Sequence, residues 1–217
     1  MKTNSAPLWA QAGFQKVAGK AWRPGGEHLT RHGLELCAFA KGSRVLDVGC
    51  GAGGTLALLQ AYGCEAVGLD RTISLSGQGT GHAPVICADA ICLPLADASF
   101  DGLVMECVLS LVDTPAVAVQ ECGRILKSGG RMLLTDMIAA SATRKSGQSC
   151  HERALPRAAM ESLFAGAGLS IRTFEDHTAA LRELAAKLVW YGQASRKDFC
   201  ACGTGYGLWV LEKGGRA

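Results

Sequence analysis

The chain has 217 residues, of which 48% are hydrophobic and 19% charged, so it carries enough apolar side chains for a buried core. Its formal net charge of +3 is too small to indicate a nucleic-acid partner. No apolar run approaches the roughly 20 residues of a membrane-spanning helix, and the first residues lack the apolar core of a secretory signal. We therefore expect one soluble, cytoplasmic domain with neither a nucleic-acid nor a membrane partner; its oligomeric state is not determined by these features.

Short β-branched or leucine-rich runs alternate with longer helical patterns, an order typical of crossover units and a parallel sheet. The predicted strands cover 44–48, 66–70, 84–87, 101–106, 130–135, 170–174 and 206–211. The predicted helices cover 27–40, after a turn at 23–26, and 54–62, 115–126, 156–167 and 181–191. The polar, poorly periodic stretch 138–155 is expected to be a lid or an insertion.

Ten cysteines are scattered along the chain, mostly in apolar surroundings that are typical of small buried side chains in a reducing compartment. This interpretation includes Cys87, Cys92 and Cys107. Cys200 and Cys202 could share a metal or form a strained disulfide, but no CxxC pair or histidine cluster completes a zinc set. We therefore expect no metal.

A hydrophobic strand at 45–48 breaks into glycines and continues as a helix. Glycines allow a sharp turn and the close approach of a ligand, and the N–H groups at the start of the next helix favour an anionic group. Gly49, Gly51 and Gly54 match the dinucleotide fingerprint. The loop alone therefore fits either a nicotinamide cofactor or another adenosine-containing ligand.

Two carboxylates follow the next two predicted strands. Asp70 ends the second strand, and Asp89 comes directly after the third. Ligands of open parallel sheets lie across the carboxyl ends of the strands, so Asp70 is placed to hold the ribose hydroxyls while Asp89 faces the adenine. Either aspartate alone could simply cap a turn, but the two together favour the ligand.

Taken in order, these motifs resemble the class I S-adenosylmethionine-dependent methyltransferases, in the small-molecule type 11 subgroup. The motifs that carry the resemblance are 45–53, 69–70, 88–90, 99–106 and 126–131. The resemblance implies an α/β, Rossmann-like three-layer sandwich with a mostly parallel seven-stranded sheet of order 3-2-1-4-5-7-6, in which strand 7 is antiparallel.

The resemblance also divides a single domain, 1–217, into three parts. Residues 1–41 form an N-terminal helical cover, 42–137 the cofactor-binding core, and 138–217 a substrate-side segment with the C-terminal strands. The implied cofactor is S-adenosyl-L-methionine, and the residues implied to contact it are Asp47, Gly49, Cys50, Gly51, Asp70, Arg71, Asp89, Ala90, Met105 and Glu106.

Methyl transfer from a sulfonium depends on proximity and alignment, and the leaving group needs no proton, so a catalytic base is optional. The candidates for a base are Glu106, His28 and His151. Position 106 departs from the family, where a small polar residue or Asn is common, and we favour a cofactor-ligand role for Glu106. The segment 141–157 carries four basic residues against one acidic residue, a local net charge of +3 that could steer an anionic substrate.

The leading hypothesis is a methyltransferase that transfers the methyl group in line to an O, N, S or C nucleophile of a small molecule. A non-catalytic accessory protein that binds S-adenosylmethionine or S-adenosylhomocysteine is an alternative. A nicotinamide-dependent oxidoreductase is disfavoured because no Tyr-x-x-x-Lys motif is evident. A thiol-dependent metalloid methyltransferase is suggested only by Cys37, Cys150, Cys200 and Cys202.

Overall fold

A computed structural model describes residues 11–18, 23–72, 83–140, 150–194 and 203–215. Its strands are β1 (Arg44–Val48), β2 (Glu65–Asp70), β3 (Val85–Cys87), β4 (Phe100–Glu106), β5 (Leu126–Ile138), β6 (Leu169–Asp176) and β7 (Gly205–Lys213). Its helices are α1 (Ala12–Ala18), α2 (Gly26–Cys37), α3 (Gly54–Ala61), α4 (Pro115–Ile125), α5 (Cys150–Arg153), α6 (Arg157–Gly166) and α7 (Thr178–Trp190). Within these ranges, no helix combines the length and the apolar character needed to cross a membrane.

The seven strands form one sheet in the order β3-β2-β1-β4-β5-β7-β6. Neighbours from β3 to β5 pair in parallel, whereas β7 pairs antiparallel with both β5 and β6. The carboxyl ends of β1 to β6 therefore meet at one edge of the sheet, which we call the carboxyl edge. This topology confirms the predicted fold and strand order.

Helices cover both faces of the sheet because side chains along each strand alternate between the faces. Apolar side chains of α2 and α3, such as Leu34 and Leu59, pack on the face that Val104 presents. Side chains of α4 and α6, such as Val119 and Phe164, pack on the face that Met105 presents. The result is the expected three-layer sandwich, in which α2 and α3 lie above the residues of β1 and β4 that end at the carboxyl edge.

Several element boundaries differ from the sequence prediction, among them the end of α2 and the start of β5. Helix α2 ends at Cys37 rather than at residue 40, because Ala38 adopts a left-handed conformation with φ 48°. The N–H of Ala38 donates to the carbonyl oxygens of Leu34 and Glu35, which closes the helix. Strand β5 begins at Leu126 rather than at 130, so it reaches the end of α4 without a separate loop.

The predicted lid at 138–155 is held together at its base. Ile138 pairs with Leu155, and the Ala139 N–H donates to the Leu155 carbonyl oxygen at 2.9 Å. The segment contains the short helix α5, which the sequence pattern did not predict, and 141–149 lie outside the described residues. The chain therefore leaves the carboxyl edge after β5 and returns to the same point.

The cysteines follow the expected burial only in part. Cys50, Cys64 and Cys122 are buried, but Cys87 and Cys92 are exposed, so the prediction for those two residues was wrong. The reason is that β3 is a three-residue strand at the sheet edge, and the chain after it runs over the surface. Cys107 is half-buried, whereas Cys200 and Cys202 lie outside the described residues.

Candidate functional site

The glycine loop between β1 and α3 has the backbone geometry that only glycine adopts easily. Gly49, Gly51 and Gly53 have φ values of 78°, 49° and 83°. The N–H groups of Gly49 and Cys50 both donate to the Leu69 carbonyl oxygen, at 2.7 and 3.0 Å, and so tie the loop to β2. A Cβ atom built on Gly51 would meet no described atom within 4 Å. Gly51 therefore presents open space at the carboxyl edge.

Asp70 is fixed by two backbone hydrogen bonds at the end of β2. Its Oδ2 accepts from the Gly51 N–H and its Oδ1 from the Thr72 N–H, both at 2.9 Å. A carboxylate has about four acceptor positions, so two such bonds leave it able to accept more. Asp70 thus both shapes the glycine loop and offers acceptor capacity beside it.

Arg71 and Asp89 lie on neighbouring loops at the same edge. The Arg71 Nε atom is 3.5 Å from the Asp89 Oδ2 atom, and 70% of the Arg71 side chain is exposed, so this ion pair contributes little to stability. Asp89 Oδ1 accepts from the Ile91 N–H at 3.2 Å, and Ala90 between them is buried. Asp89 therefore caps a turn, as the simpler interpretation proposed, and its Oδ2 atom faces Arg71.

Met105 and Glu106 end β4 with their side chains on opposite faces of the sheet. The Met105 side chain is fully buried in the core beneath α4, so a ligand at the carboxyl edge could contact only its backbone. The Glu106 side chain points toward α2 and α3 and is 4% exposed. Of the two residues, only Glu106 presents a functional group on the side of the glycine loop.

Three side chains surround the Glu106 carboxylate. Thr30 of α2 donates to its Oε1 and Thr55 of α3 to its Oε2, each at 3.0 Å. The Arg23 Nη2 atom lies 2.8 Å from Oε2 and also donates to the Thr55 hydroxyl at 3.0 Å. The carboxylate therefore has a charged partner and two hydroxyl donors, which a buried charge requires. We call these four residues the Glu106 network.

Arg23, Thr30 and Thr55 are site residues that the sequence did not predict, and 23–26 was interpreted only as a turn. The Arg23 Nε atom is buried and has no partner among the described residues. Burial opposes the charge on Arg23, but the carboxylates of Glu106 and Asp47 raise its pKa above the ordinary value. Arg23 is thus a charged guanidinium, held by Glu106, with a donor still unused.

Asp47 lies beneath the glycine loop and is 3% exposed. Burial, and then repulsion by Glu106, raise its pKa to about 8, although Arg23 acts in the opposite direction. Asp47 is therefore mostly protonated at neutral pH. A ligand that places a cation beside Asp47 would favour its ionised form.

Of the two histidine candidates, His28 does not join this group. His28 is exposed on α2. His151 lies in α5, but its side chain is outside the described part of the chain. Neither residue gains support as a catalytic base from the geometry, and both roles stay predictions.

Comparisons with known proteins agree with this architecture. The model of a family described as "Methyltransferase domain" matches residues 46–134. The chain is 31% identical over 173 residues to the malonyl-[acyl-carrier protein] O-methyltransferase of Enterobacter lignolyticus (strain SCF1), covering 71% of this chain and 69% of that protein. It spans about half the length of several other curated relatives that it matches, among them an O-methyltransferase of Aspergillus nomiae, of which it covers 54%.

Solved structures share the fold at low sequence identity. A phosphoethanolamine N-methyltransferase of Haemonchus contortus in complex with S-adenosyl-L-methionine superposes with a TM-score of 0.75 at 16% identity, covering 94% of this chain and 56% of that one. The [4+2]-cyclase SpnF superposes with a TM-score of 0.72 at 21% identity, covering 91% of this chain and 85% of that one.

The sheet order, the glycine loop and the two-thirds coverage of a 31% identical relative define the class. The chain belongs to the class I S-adenosylmethionine-dependent methyltransferases, within the type 11 methyltransferase-domain family. The cofactor of this class is S-adenosylmethionine, whose nucleoside, carboxylate and ammonium groups match the kinds of partner that the carboxyl edge offers.

Replacing Asp70 by Ala should weaken the binding of S-adenosylhomocysteine by about 1.5 to 3 kcal/mol, roughly 10- to 150-fold, because hydrogen bonds to a charged group are lost. Isothermal titration calorimetry measures the change. The matched control is Asp101→Ala, since Asp101 is an aspartate of β4 outside the site that pairs with Lys127. Unchanged affinity in a folded Asp70→Ala protein would reduce Asp70 to a turn residue.

The raised pKa of Asp47 predicts a specific dependence of stability on pH. Between its ordinary value of 3.8 and about 8, the folded chain holds a proton that the unfolded chain has lost. The free energy of unfolding therefore falls as pH rises through this range, by up to about 1.4 kcal/mol per pH unit from this group. The Asp47→Asn variant cannot ionise and should lack this loss.

Urea unfolding of the parent and the Asp47→Asn variant at about pH 6, 7 and 8 measures this effect. The stability of the variant relative to the parent should increase with pH. Asp101→Asn is the control, because its hydrogen bond with Lys127 lowers the pKa of Asp101 and keeps its titration below this range. Parallel pH profiles for the parent and the Asp47→Asn variant would show that Asp47 ionises normally.

Proposed function

We propose that this protein transfers a methyl group from S-adenosylmethionine to a nucleophilic atom of a small molecule at the carboxyl edge, beside the ends of β1 and β4. The observation that carries the proposal is the Glu106 network, which holds a charged guanidinium beside the glycine loop. A site built only for a nucleoside has no need for a buried arginine that keeps one donor unused.

The nucleoside half of the cofactor fits the side of the site toward β2 and β3. Asp70 is oriented by Gly51 and Thr72, so its remaining acceptor positions are available to the ribose hydroxyls. Asp89 and the buried Ala90 lie where the adenine would follow. Because the space above Gly51 is open, the part of the cofactor that joins its ribose to its methionine group can lie close to the backbone there.

The amino-acid half fits the side toward β4 and α2. Arg23 is the cationic partner for the carboxylate of the cofactor, because its Nε–H is buried and has no acceptor among the described residues. Asp47 is the carboxylate partner for the ammonium group of the cofactor, because a cation placed there offsets the burial and repulsion that raise the pKa of Asp47. We therefore propose a positioning role for Glu106 in place of the cofactor-ligand role favoured from the sequence: it holds Arg23 at a fixed angle and balances its charge.

The bound cofactor supplies a methyl group on a positively charged sulfur. What the chain contributes is alignment of the acceptor and exclusion of water, since displacement at this carbon needs no proton on the leaving group. Glu106 is a poor base in this arrangement, because Arg23, Thr30 and Thr55 already occupy its two oxygens. An acceptor that is already ionised, or a thiolate, would need no base at all.

A cleft of about 810 Å³ beyond the end of β5 is the proposed acceptor site. Met137, Ile138 and Leu181 make part of its wall apolar, and Arg157 and Arg182 outnumber Asp176 among its charged lining residues. Its size is in the range of small-molecule pockets. The proposed acceptor therefore has an apolar body and an anionic group, in line with the basic character of 141–157.

One alternative deserves a direct test, because the [4+2]-cyclase SpnF has the same fold. A protein of this fold could bind the cofactor without using its methyl group. The metalloid alternative is less well supported, since Cys37 is buried and its burial raises the pKa of the thiol to about 12. Such a thiol is not available as a thiolate ligand.

Calorimetry with S-adenosylmethionine, S-adenosylhomocysteine, NAD⁺ and NADP⁺ tests the cofactor. We expect the two adenosyl sulfur compounds to bind and the dinucleotides to bind at least tenfold more weakly, because Arg23 and Asp47 match an amino acid and not a second nucleotide. Tighter binding of a dinucleotide would overturn the proposal.

An acceptor screen that detects S-adenosylhomocysteine release separates the enzyme from the accessory protein. Release that depends on an added small molecule supports methyl transfer. Tight cofactor binding with no release across a broad panel of apolar anions, phenols, amines and thiols would favour the accessory protein instead.

A further inference from the structure

Three metal-ligating side chains meet on the α2 face of the sheet, away from the cofactor site. His32 comes from α2, Glu175 from β6, and His177 from the residue before α7. The Nε2 atoms of both histidines lie 2.8 Å from the same Glu175 oxygen, Oε2. The side chains are between 25% and 38% exposed, so an ion from solution could reach them.

The register of β6 and the packing of α2 on the sheet bring these residues together. Glu175 lies near the end of β6 and His177 is the first residue after it, where the His177 N–H still donates to the Tyr206 carbonyl oxygen of β7 at 2.8 Å, so the two side chains stay on one face. That face carries α2, because Glu175 is in register with Leu208, which packs in the same cluster as Leu29 and Leu34 of the helix. His32 therefore reaches Glu175 across the seam between α2 and the sheet edge.

We propose that His32, Glu175 and His177 bind a divalent transition-metal ion, with Zn²⁺ the best match. Two imidazole nitrogens and one carboxylate oxygen are a common donor set for this ion, and three protein ligands leave a fourth position for water. The three candidate ligand atoms already lie within 4.8 Å of one another.

Only a small rearrangement is needed to admit the ion. Bonds of about 2.1 Å to a tetrahedral ion place its ligand atoms roughly 3.4 Å apart. The two nitrogens therefore need to move away from Glu175 Oε2 by about half an ångström, relative to the present 2.8 Å, and to lie about 3.4 Å from each other, a distance that is now within 4.8 Å. Partly exposed side chains can make this movement by small rotations about their χ angles.

The position of the cluster indicates what the ion would do. Across the sheet, Glu106 is in register with Thr135, Thr135 with Leu208, and Leu208 with Glu175. Three strand spacings put Glu175 roughly 14 Å from Glu106, too far to act on the transferred methyl group. The ion would instead link α2, which also carries Thr30 of the Glu106 network, to β6, the strand at the edge of the sheet.

Zn²⁺ titration of the full-length chain, without cofactor and after treatment with a chelator, tests the proposal. We expect one site whose affinity falls at least about tenfold in each of His32→Ala, His177→Ala and Glu175→Gln, because each variant loses one ligand. His28→Ala is the matched control: His28 is exposed one turn earlier on α2 and is outside the cluster. Cys200→Ser/Cys202→Ser is the control for binding by thiols.

A second readout is independent of cofactor chemistry and of methyl transfer. Zn²⁺ should raise the thermal midpoint of the parent and of both controls, and should raise that of Glu175→Gln by a smaller amount at the same Zn²⁺ concentration. Retained affinity in all three cluster variants, or loss of the site in either control, would overturn the proposal. The affinity for S-adenosylhomocysteine, measured in the same samples, shows separately whether the cofactor site is intact.

Discussion

The carboxylate of Glu106 is a negative charge placed at the end of the central strand β4 with almost no access to water. A buried charge without partners costs several kcal/mol, so the fold must provide them. It does so from three directions: Arg23 comes from the segment before α2, Thr30 from α2 and Thr55 from the first turn of α3. The position of the N-terminal segment over the sheet is therefore tied to this one side chain.

The same interaction sets the electrostatics of the cofactor site. Glu106 keeps Arg23 charged and oriented, and it contributes to the raised pKa of Asp47. Before a ligand is bound, the amino-acid side of the site thus holds one ion pair and one protonated acid, an arrangement with little net charge. A ligand with a carboxylate and an ammonium group would find a partner for each, and this amino-acid group would add no net charge to the buried site. The site is therefore preorganised for an amino-acid group as well as for a nucleoside.

Much of the fold could be predicted because its signals are local or are carried by ordered motifs. The glycine loop, the strand ends at Asp70 and Asp89 and the alternation of strands and helices are all visible in short windows of sequence, and the sheet order followed from the family resemblance. Boundaries were less accurate where a single backbone conformation decides them, as for Ala38 at the end of α2. The exposure of Cys87 was missed because nothing in its apolar neighbourhood reveals that β3 is a short edge strand.

The parts of the site that could not be predicted are those made by contacts between distant segments. Glu106 was recognised as unusual, but its partners lie 51 and 76 positions away at Thr55 and Thr30, and no local pattern links them. Arg23 looked like part of a turn for the same reason. The sequence also gave no sign that His32 would meet Glu175, which is 143 positions away.

The most direct test of the account is whether Arg23 recognises the amino-acid end of the cofactor. The dissociation constants of S-adenosylhomocysteine and of methylthioadenosine, which keeps the nucleoside but lacks the carboxylate and the ammonium group, are measured for the parent and for Arg23→Gln. An Arg23→Gln/Glu106→Gln double variant controls for an unpaired buried carboxylate. The account predicts that both variants bind S-adenosylhomocysteine roughly 10- to 150-fold more weakly and methylthioadenosine nearly unchanged. An equal loss for the two ligands, or no loss for either, would contradict it.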